Sequence, residues 1–173
     1  MLADPLPRRW AHSQGVARKA RTLAPILGDN AELMEASAIL HDVGYSPSIA
    51  STGFHPLDGA RFLRDQEHAD ERLIRIVAHH SCALLEADLR GLRHELETEF
   101  ALESPDLVDA MIYCDMTTTP HGEPTDVDQR LTEIASRYGP EHLVTAFIQQ
   151  AGPEIRAAAE RVLERLESTP QPM

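Results

Sequence analysis

The sequence predicts an all-α protein that folds as one helical domain. Apolar residues recur at the i, i+3, i+4 and i+7 spacing of helices along most of the chain, and no segment of useful length alternates as a strand does. A length of 173 residues suits one domain, and neither an internal repeat nor a linker divides it. We therefore predict a single-domain bundle of about seven to nine helices over residues 1–167, followed by a disordered, proline-rich tail over residues 168–173.

Residues that start and end helices divide the first half of the chain into elements. Pro7 suits the first turn of the first helix, and the Gly28-Asp29-Asn30 triplet ends it. Asp29 and Glu32 have the spacing of a capping box for the second helix, which ends before Gly44. The predicted helices of this half cover residues 7–27, 33–42, 55–66 and 70–80.

The second half of the chain is divided in the same way. Residues 84–102 are amphipathic and predict a helix, and Ser104-Pro105 combines a capping residue with a first-turn proline for the next helix, which runs through Met116. After a loop, Thr125 can cap a helix that ends at Gly139, since glycine is typical of the position after a helix. The two last predicted helices cover residues 141–151 and 154–167.

The composition is that of a globular protein with an acidic surface. The formal net charge is −12. Nucleic-acid polymers and anionic membranes both bind basic surfaces, so we expect neither as a partner. A small phosphorylated molecule is compatible with this charge, because a metal ion can invert the sign of one local site.

The two cysteines and the apolar segments indicate the compartment. Cys82 and Cys114 form neither a zinc motif nor a disulfide framework, so we expect both thiols to be reduced. The sequence contains no signal-peptide pattern and no apolar stretch of about 18 residues. We therefore expect a cytoplasmic protein, and a homodimer is compatible with the sequence.

The most informative residues are a His41-Asp42 pair at the end of an apolar helical segment. His41 and Asp115 each end an inward-facing apolar stripe, and His12 lies on such a stripe in the first helix. A buried carboxylate is costly unless it is paired or binds metal. A lone histidine is more often a satisfied core residue, and Asp115 alone is equally compatible with an exposed helix end. Three helices that each direct a ligand-type residue inward favour a metal site.

Further histidines lie where they could complete such a site. Leu73, Ile76 and Val77 form a stripe that leads to His80. Periodicity therefore favours His80 over His79 as the inward-facing residue, although either could reach an internal site. His55 begins a predicted helix and is either a ligand or an exposed residue near the helix start.

These residues resemble the HD-domain superfamily, a helical fold of metal-dependent phosphohydrolases. The matching segments are RRWAHSQGVARKA, AILHDVGY and DAMIYCDMTT, within about residues 8–120. The histidines of GFHPLDGARFL and IVAHHS look like the additional ligands of the family's two-metal branch. In this resemblance Asp42 bridges two ions. The implied ligands are His12, His41, Asp42 and Asp115 for the first metal and His55, His79 and His80 for the second.

Two departures from the family pattern leave the substrate open. Tyr45 stands where many two-metal members have a lysine, and no Gly-Tyr-Pro signature of cyclic dinucleotide phosphodiesterases follows His79-His80. Tyr45 and Asp58 could instead orient the ligands from outside the metal shell. Imidazole and carboxylate ligands suit Fe, Mn, Co, Ni or Zn, so we expect one or two divalent ions of this kind.

The resemblance implies a metal-dependent phosphohydrolase that acts on a small phosphate ester, with a nucleotide as the favoured substrate. His41 and Asp42 would hold the metal that supplies a hydroxide nucleophile near neutral pH. Arg18 and Arg61 are candidate phosphate clamps, although a solvated helix face is the competing interpretation of each. The alternatives are a mixed-valent di-iron oxygenase with the same ligand order and a non-catalytic regulatory domain that binds metal or nucleotide.

Overall fold

The described parts of the chain form helices and connecting turns. The computed structural model describes residues 2–169. Within that range the one strand-like pairing is an isolated bridge between Thr118 and Pro124, so the predicted all-α class is confirmed. No described helix is both long and apolar enough to cross a bilayer. The predicted disordered tail covers residues 168–173. Ser168 instead belongs to the last helix, and residues 170–173 lie outside the described residues.

Eight α-helices in this range have eight residues or more, and two are shorter. The helices are α1 (Pro7–Thr22), α2 (Ala24–Leu27), α3 (Ala31–Leu40), α4 (His55–Asp65), α5 (Glu71–His79), α6 (Ala83–Arg90), α7 (Arg93–Glu99), α8 (Pro105–Met116), α9 (Val127–Tyr138) and α10 (Leu143–Ser168). Three short 3₁₀ turns cover Gly28–Asn30, Val43–Tyr45 and His80–Cys82.

Three helix breaks differ from the sequence prediction. The first helix ends at Thr22 instead of Leu27, since Pro25 has no amide hydrogen to continue the helical ladder. The amphipathic segment over residues 84–102 divides at Gly91, whose φ of 71° lies in the left-handed region that favours glycine. Pro153 does not end the last helix, because α10 buries apolar residues on both sides of it and this burial offsets one lost hydrogen bond.

Two predicted helix caps differ from the structure. The predicted capping box does not form, and α3 begins after Asn30 without a side-chain cap. Asp126, not Thr125, caps α9, where its carboxylate accepts a hydrogen bond from the Gln129 amide. Asp70 caps α5 by accepting hydrogen bonds from the first-turn amides. These shifts leave the predicted helix order intact.

Three apolar clusters form the core and fix the crossing of the helices. One joins α1, α3 and α8 through residues such as Val16, Met34 and Met111, all fully buried. A second packs α4 against α5, and a third packs α10 against α8 and α9. This arrangement gathers the middle of α1, the C-terminal ends of α3, α5 and α8, and the start of α4 around one buried point.

Candidate metal centre

Two groups of ligand-type side chains, with Asp42 common to both, meet at this buried point. Among the described residues, His12, His41 and Asp42 form one group, and Asp42, His55 and His80 form the other. Asp42 follows the last turn of α3 and is only 2% exposed, so its carboxylate cannot be stabilised by bulk water. Such a charge needs cationic partners on the protein or a bound metal ion.

The histidine rings are held by hydrogen bonds from one nitrogen to backbone carbonyl groups. His12 Nδ1 donates to the Thr119 carbonyl at 3.0 Å, His41 Nδ1 to that of Ala38 at 2.7 Å, and His80 Nδ1 to that of Val77 at 2.6 Å. A carbonyl oxygen only accepts, so each Nδ1 carries the hydrogen. The Nε2 atoms are consequently the nitrogens available to a metal, which is the usual orientation of ligating histidines.

The spacing of the ligand atoms fits a metal shell. Two ligand atoms about 2.0–2.2 Å from one ion and about 90–110° apart lie about 2.8–3.6 Å from each other. His41 Nε2 lies 3.4 Å from Asp42 Oδ2. Asp115, expected as a ligand of the first metal, belongs to neither ligand group, although one of its oxygens lies 2.9 Å from His12 Nε2. His55 Nε2 lies 3.4 Å from Asp42 Oδ1 and 3.0 Å from His80 Nε2. His41 Nε2 is also buried without a hydrogen-bond partner among the described residues, so the donor set fits a metal.

The electrostatics of the site also favour metal binding. Burial acts to raise the pKa of Asp42, but the Arg9 guanidinium at 2.8 Å, together with His41 and His55, holds it well below its usual range. Burial lowers the pKa of His80 to about 4, so this imidazole is neutral at pH 7 and can donate its lone pair. The site therefore presents an ionised carboxylate beside a neutral imidazole, the protonation states that metal ligation requires.

A second set of side chains holds the ligands in place. Arg9 stacks on the Tyr45 ring at 4.0 Å, and the other face of Tyr45 stacks on His55 with ring centroids 3.9 Å apart. Ser81 Oγ donates a hydrogen bond to Asp115, and Ser81 adopts a φ of 50°, in the left-handed region that a non-glycine residue rarely occupies. The kink after His80 thus turns a hydroxyl toward the site, and this strained backbone is typical of functional positions.

Comparison with known families identifies the arrangement. The family model described as "HD domain" matches residues 9–139, which include every member of both ligand groups. The chain belongs to the HD-domain family. The predicted resemblance is therefore confirmed over a longer range than the motifs alone, because the match extends through α9.

Two curated relatives of this HD-domain protein are named Ribonuclease Y. The relative from Rubrobacter xylanophilus is 40% identical over 70 residues, which cover 40% of this chain and 14% of the relative. The relative from Fervidobacterium nodosum is 29% identical over 153 residues, which cover 84% of this chain and 26% of the relative. The chain therefore spans about a quarter or less of the length of these relatives. No solved structure matches the chain.

These relatives correct one sequence-based expectation. The acidic net charge led us to exclude a nucleic-acid polymer and to expect a small phosphorylated partner, and this inference is wrong, since the relatives are ribonucleases by name. Net charge averages over the whole surface and does not describe one cleft. Three arginines, Arg9, Arg130 and Arg137, line the cavity that also contains Asp42 and His80.

Of the adjacent histidines in this HD domain, the structure brings His80 and not His79 to the cluster. His79 Nε2 donates a hydrogen bond to the carbonyl of Phe100, the residue that follows α7, at 2.7 Å. His80 has different partners, since its Nδ1 donates to the Val77 carbonyl and its Nε2 lies 3.0 Å from His55 Nε2. His79, expected as a ligand of a second metal, therefore lies outside both ligand groups, and the stripe that favoured His80 identified the inward residue.

The two candidate phosphate clamps lie away from the ligand groups of the HD domain. Arg61 forms ion pairs with Glu95 and Glu99 and lines a separate surface cavity. Arg18 donates to the Gly122 carbonyl at 2.9 Å and so stabilises the loop that accepts the His12 hydrogen bond. Both side chains thus have protein partners, and the structure brings neither to the metal ligands.

Asp58 also has a positioning role at a distance from the metal ligands. Its carboxylate accepts hydrogen bonds from the backbone amides of Ser51 and Thr52 and from the Thr52 hydroxyl. These bonds fix the loop that precedes His55. Asp58 therefore stabilises the loop before α4. Among the described residues, none of its hydrogen bonds is to a proposed metal ligand.

Sequence reasoning missed the arginines that do line the cleft. Arg9 precedes His12 by three residues and so shares its helix face. Arg130 lies on the same stripe of α9 as the buried Leu131 and Ile134. A cation on an apolar stripe is as unusual as the buried histidines, and this pattern could have revealed Arg130. No local pattern indicates Ser81, whose position depends on a backbone kink.

Proposed function

We propose that this HD domain is a metal-dependent phosphohydrolase that cleaves phosphodiester bonds, with RNA as the class of substrate. The observation that carries the proposal is the Asp42-centred ligand cluster, whose members Asp42, His55 and His80 line a cavity together with three arginines. The name of the two curated relatives supports RNA over a small phosphate ester. Because the chain spans only part of those relatives, their activity supports this assignment without defining it.

The ligand set would hold two divalent ions that share Asp42. The Oδ2 atom of Asp42 faces His41, its Oδ1 atom faces His55, and each oxygen therefore belongs to a different ligand group. Imidazole nitrogens with carboxylate oxygens suit Fe, Mn, Co, Ni or Zn. Bound ions of this kind lower the pKa of a coordinated water and polarise a phosphoryl oxygen.

The protein side chains of the site would orient these ligands and the substrate. The backbone carbonyl bonds to His12, His41 and His80 fix the tautomer in which Nε2 carries a free lone pair. Ser81 and His12 both contact Asp115, which keeps its two oxygens in defined positions. Preorganised ligands avoid reorganisation during the reaction, and this is the main contribution of a protein to metal-assisted hydrolysis.

The test is hydrolysis by protein freed of metal with a chelator and reloaded with one metal at a time. We would measure cleavage of an end-labelled single-stranded RNA and of bis-p-nitrophenyl phosphate, a model phosphodiester. His41→Ala removes the buried Nε2 and should abolish both metal retention and hydrolysis. His94→Ala is the matched control, because His94 is exposed on α7 and should leave both unchanged.

The outcomes separate the hypotheses. Failure of every metal-loaded form to cleave either substrate would overturn the proposed activity. Oxygen uptake by the iron-loaded protein without phosphodiester cleavage would favour the di-iron oxygenase alternative. Cleavage that persists in His41→Ala would show that this cluster is not the active site.

A further inference from the structure

Helix α9 brings an unusually buried cation to the wall of the proposed active-site cleft. The side chain of Arg130 is only 5% exposed. Arginine is almost never buried to this extent unless it is paired, because its charge is costly to remove from water. The buried position of Arg130 therefore requires partners for its charge and its N–H groups.

The protein satisfies only part of this requirement. Arg130 Nη1 donates to Glu133 Oε2 at 2.5 Å. Arg130 Nε is buried and has no hydrogen-bond partner among the residues that the structure describes. The guanidinium edge formed by Nε and Nη2 carries two parallel N–H groups, the arrangement that binds two oxygens of a phosphate or carboxylate. This edge has no described protein acceptor.

Arg130 lies where a substrate bound at the metal centre would contact it. It lines the cavity that contains Asp42, His55, His80 and Asp115. It also lines a neighbouring cavity of about 290 Å³, which His12, Pro120 and three further arginines surround. Arg130 therefore stands at the junction between the ligand cluster and an open part of the cleft.

A single carboxylate positions two of these arginines. Glu133 accepts from Arg130 through one oxygen and lies 3.4 Å from Arg137 Nε through the other. Arg9, the third cation, is paired with Asp42. Glu86 also lines the cavity, where Arg90 pairs with it. Two arginines thus share one glutamate, and the Asp115 carboxylate in the same cavity is the other acidic group that interacts with Arg130.

We propose that Arg130 and Arg137, oriented by Glu133, form an anion-binding subsite that holds a phosphodiester group of single-stranded RNA beside the metal centre. The unpaired edge of Arg130 donates hydrogen bonds to two phosphate oxygens, and Arg137, 31% exposed, contacts the same or the adjoining phosphate from the cleft mouth. The choice of RNA as ligand rests on the proposed function, whereas the anion site rests on the unpaired guanidinium edge. The subsite explains how a chain with a net charge of −12 can bind a polyanion.

The test compares two arginine substitutions that differ only in location. Arg130→Gln removes the buried cation, and Arg156→Gln removes an exposed cation on α10 that pairs with Asp128 outside the cleft. Arg130→Lys retains the charge without the parallel pair of donors. Binding of a fluorescein-labelled, cleavage-resistant phosphorothioate RNA would be followed by anisotropy, with and without metal, over a series of salt concentrations. Melting curves and metal analysis would confirm that each variant is folded and loaded.

We expect Arg130→Gln to weaken RNA binding by about tenfold and to reduce the slope of log K against log salt by about one. Arg130→Lys should show an intermediate loss, and Arg156→Gln should stay within about twofold of the wild-type protein. If Arg130→Gln is unfolded, the folded Arg130→Lys variant decides the question by the same measurement. Equal affinities for the wild type and the folded Arg130 variants, or no binding by the wild type, would overturn the subsite.

The same experiment distinguishes this inference from the proposed function. Binding that depends on Arg130 without cleavage by any metal-loaded form would retain the subsite and refute the hydrolase. Cleavage with a wild-type KM in Arg130→Gln would retain the hydrolase and refute the subsite. A purely structural role of Arg130 would lower the melting temperature and leave the salt dependence of binding unchanged.

Discussion

The close approach of Gly44 to α4 gives the sharpest test of the site geometry. Gly44 follows Asp42 by two residues, and a Cβ atom built on it would lie 2.1 Å from the His55 carbonyl oxygen and 2.6 Å from the Gly59 amide nitrogen. Both neighbours are backbone atoms of α4, so no side-chain rotation can relieve the clash. Gly44→Ala therefore forces α4, which begins with the ligand residue His55, away from Asp42.

The size of this displacement follows from contact distances. Ordinary van der Waals contact requires a separation of about 3.4 Å or more, so the backbone must move by about 1 Å. Metal ligands tolerate deviations of about 0.2 Å. Overpacking of this kind costs about 1–3 kcal/mol, which lowers the melting temperature of a protein of this length by about 2–12 °C.

The assay is metal analysis of the purified variant together with its thermal melting curve. If two ions bind as proposed, we expect Gly44→Ala to lose the ion assigned to His55 and His80 and to retain the ion assigned to His12 and His41, so that two equivalents fall to about one. Gly152→Ala is the matched control. A Cβ there would meet the flexible end of Arg156 at 3.2 Å, and its metal content should equal that of the wild type.

One result would refute this reasoning. If Gly44→Ala retained the wild-type metal content and melted within about 1 °C of the wild type, the contact between the turn after Asp42 and α4 would not control the second ligand group. Loss of both ions with a cooperative melting curve would show that the two groups depend on each other through Asp42.

Three further predictions test other assignments. His41→Ala should lose bound metal, whereas His79→Ala should retain it. The His79 variant should still lose about 1–3 kcal/mol of stability, because the buried Phe100 carbonyl loses its hydrogen-bond donor. Equal metal loss in both variants would reinstate His79 as a ligand. Arg61→Gln should keep RNA cleavage within about twofold, since surface glutamates pair with this arginine, and a tenfold loss would restore its role as a phosphate clamp. Burial raises the pKa of Cys82 to about 12, so the thiol stays protonated at pH 8. Iodoacetamide should then alkylate it slowly, at a rate that rises about tenfold per pH unit up to pH 11; the rate of an exposed cysteine at pH 8 would contradict this.

The helical order and the inward residues of the site could be predicted because they depend on local spacing. His12, His41 and Asp115 each lie on an apolar stripe, and the i, i+3, i+4 pattern of a helix fixes which face a residue occupies whatever the helix packs against. The same spacing favoured His80 over its neighbour. A buried histidine or carboxylate that continues an apolar stripe is therefore visible in the sequence alone.

Predictions failed where one local feature competed with tertiary packing. Pro153 ends a helix by its own chemistry, yet α10 continues through it because both sides bury apolar residues against α8 and α9. Arg18 and Arg61 were chosen for their closeness in sequence to ligands. Their partners, Gly122 and Glu99, are 104 and 38 residues away, and sequence distance carries no information about such contacts.

The sequence by itself determined the all-α class and the inward placement of the ligand residues, since helix periodicity is a property of a few consecutive residues. Tertiary structure alone decided which cations reach the site. Arg9 and Arg130 lie 121 positions apart, and only the tertiary packing that places α1 and α9 beside the same cavity brings both to Asp42 and Asp115. The charge of one cleft therefore follows from how helices pack, whereas the net charge of −12 follows from composition and does not predict it.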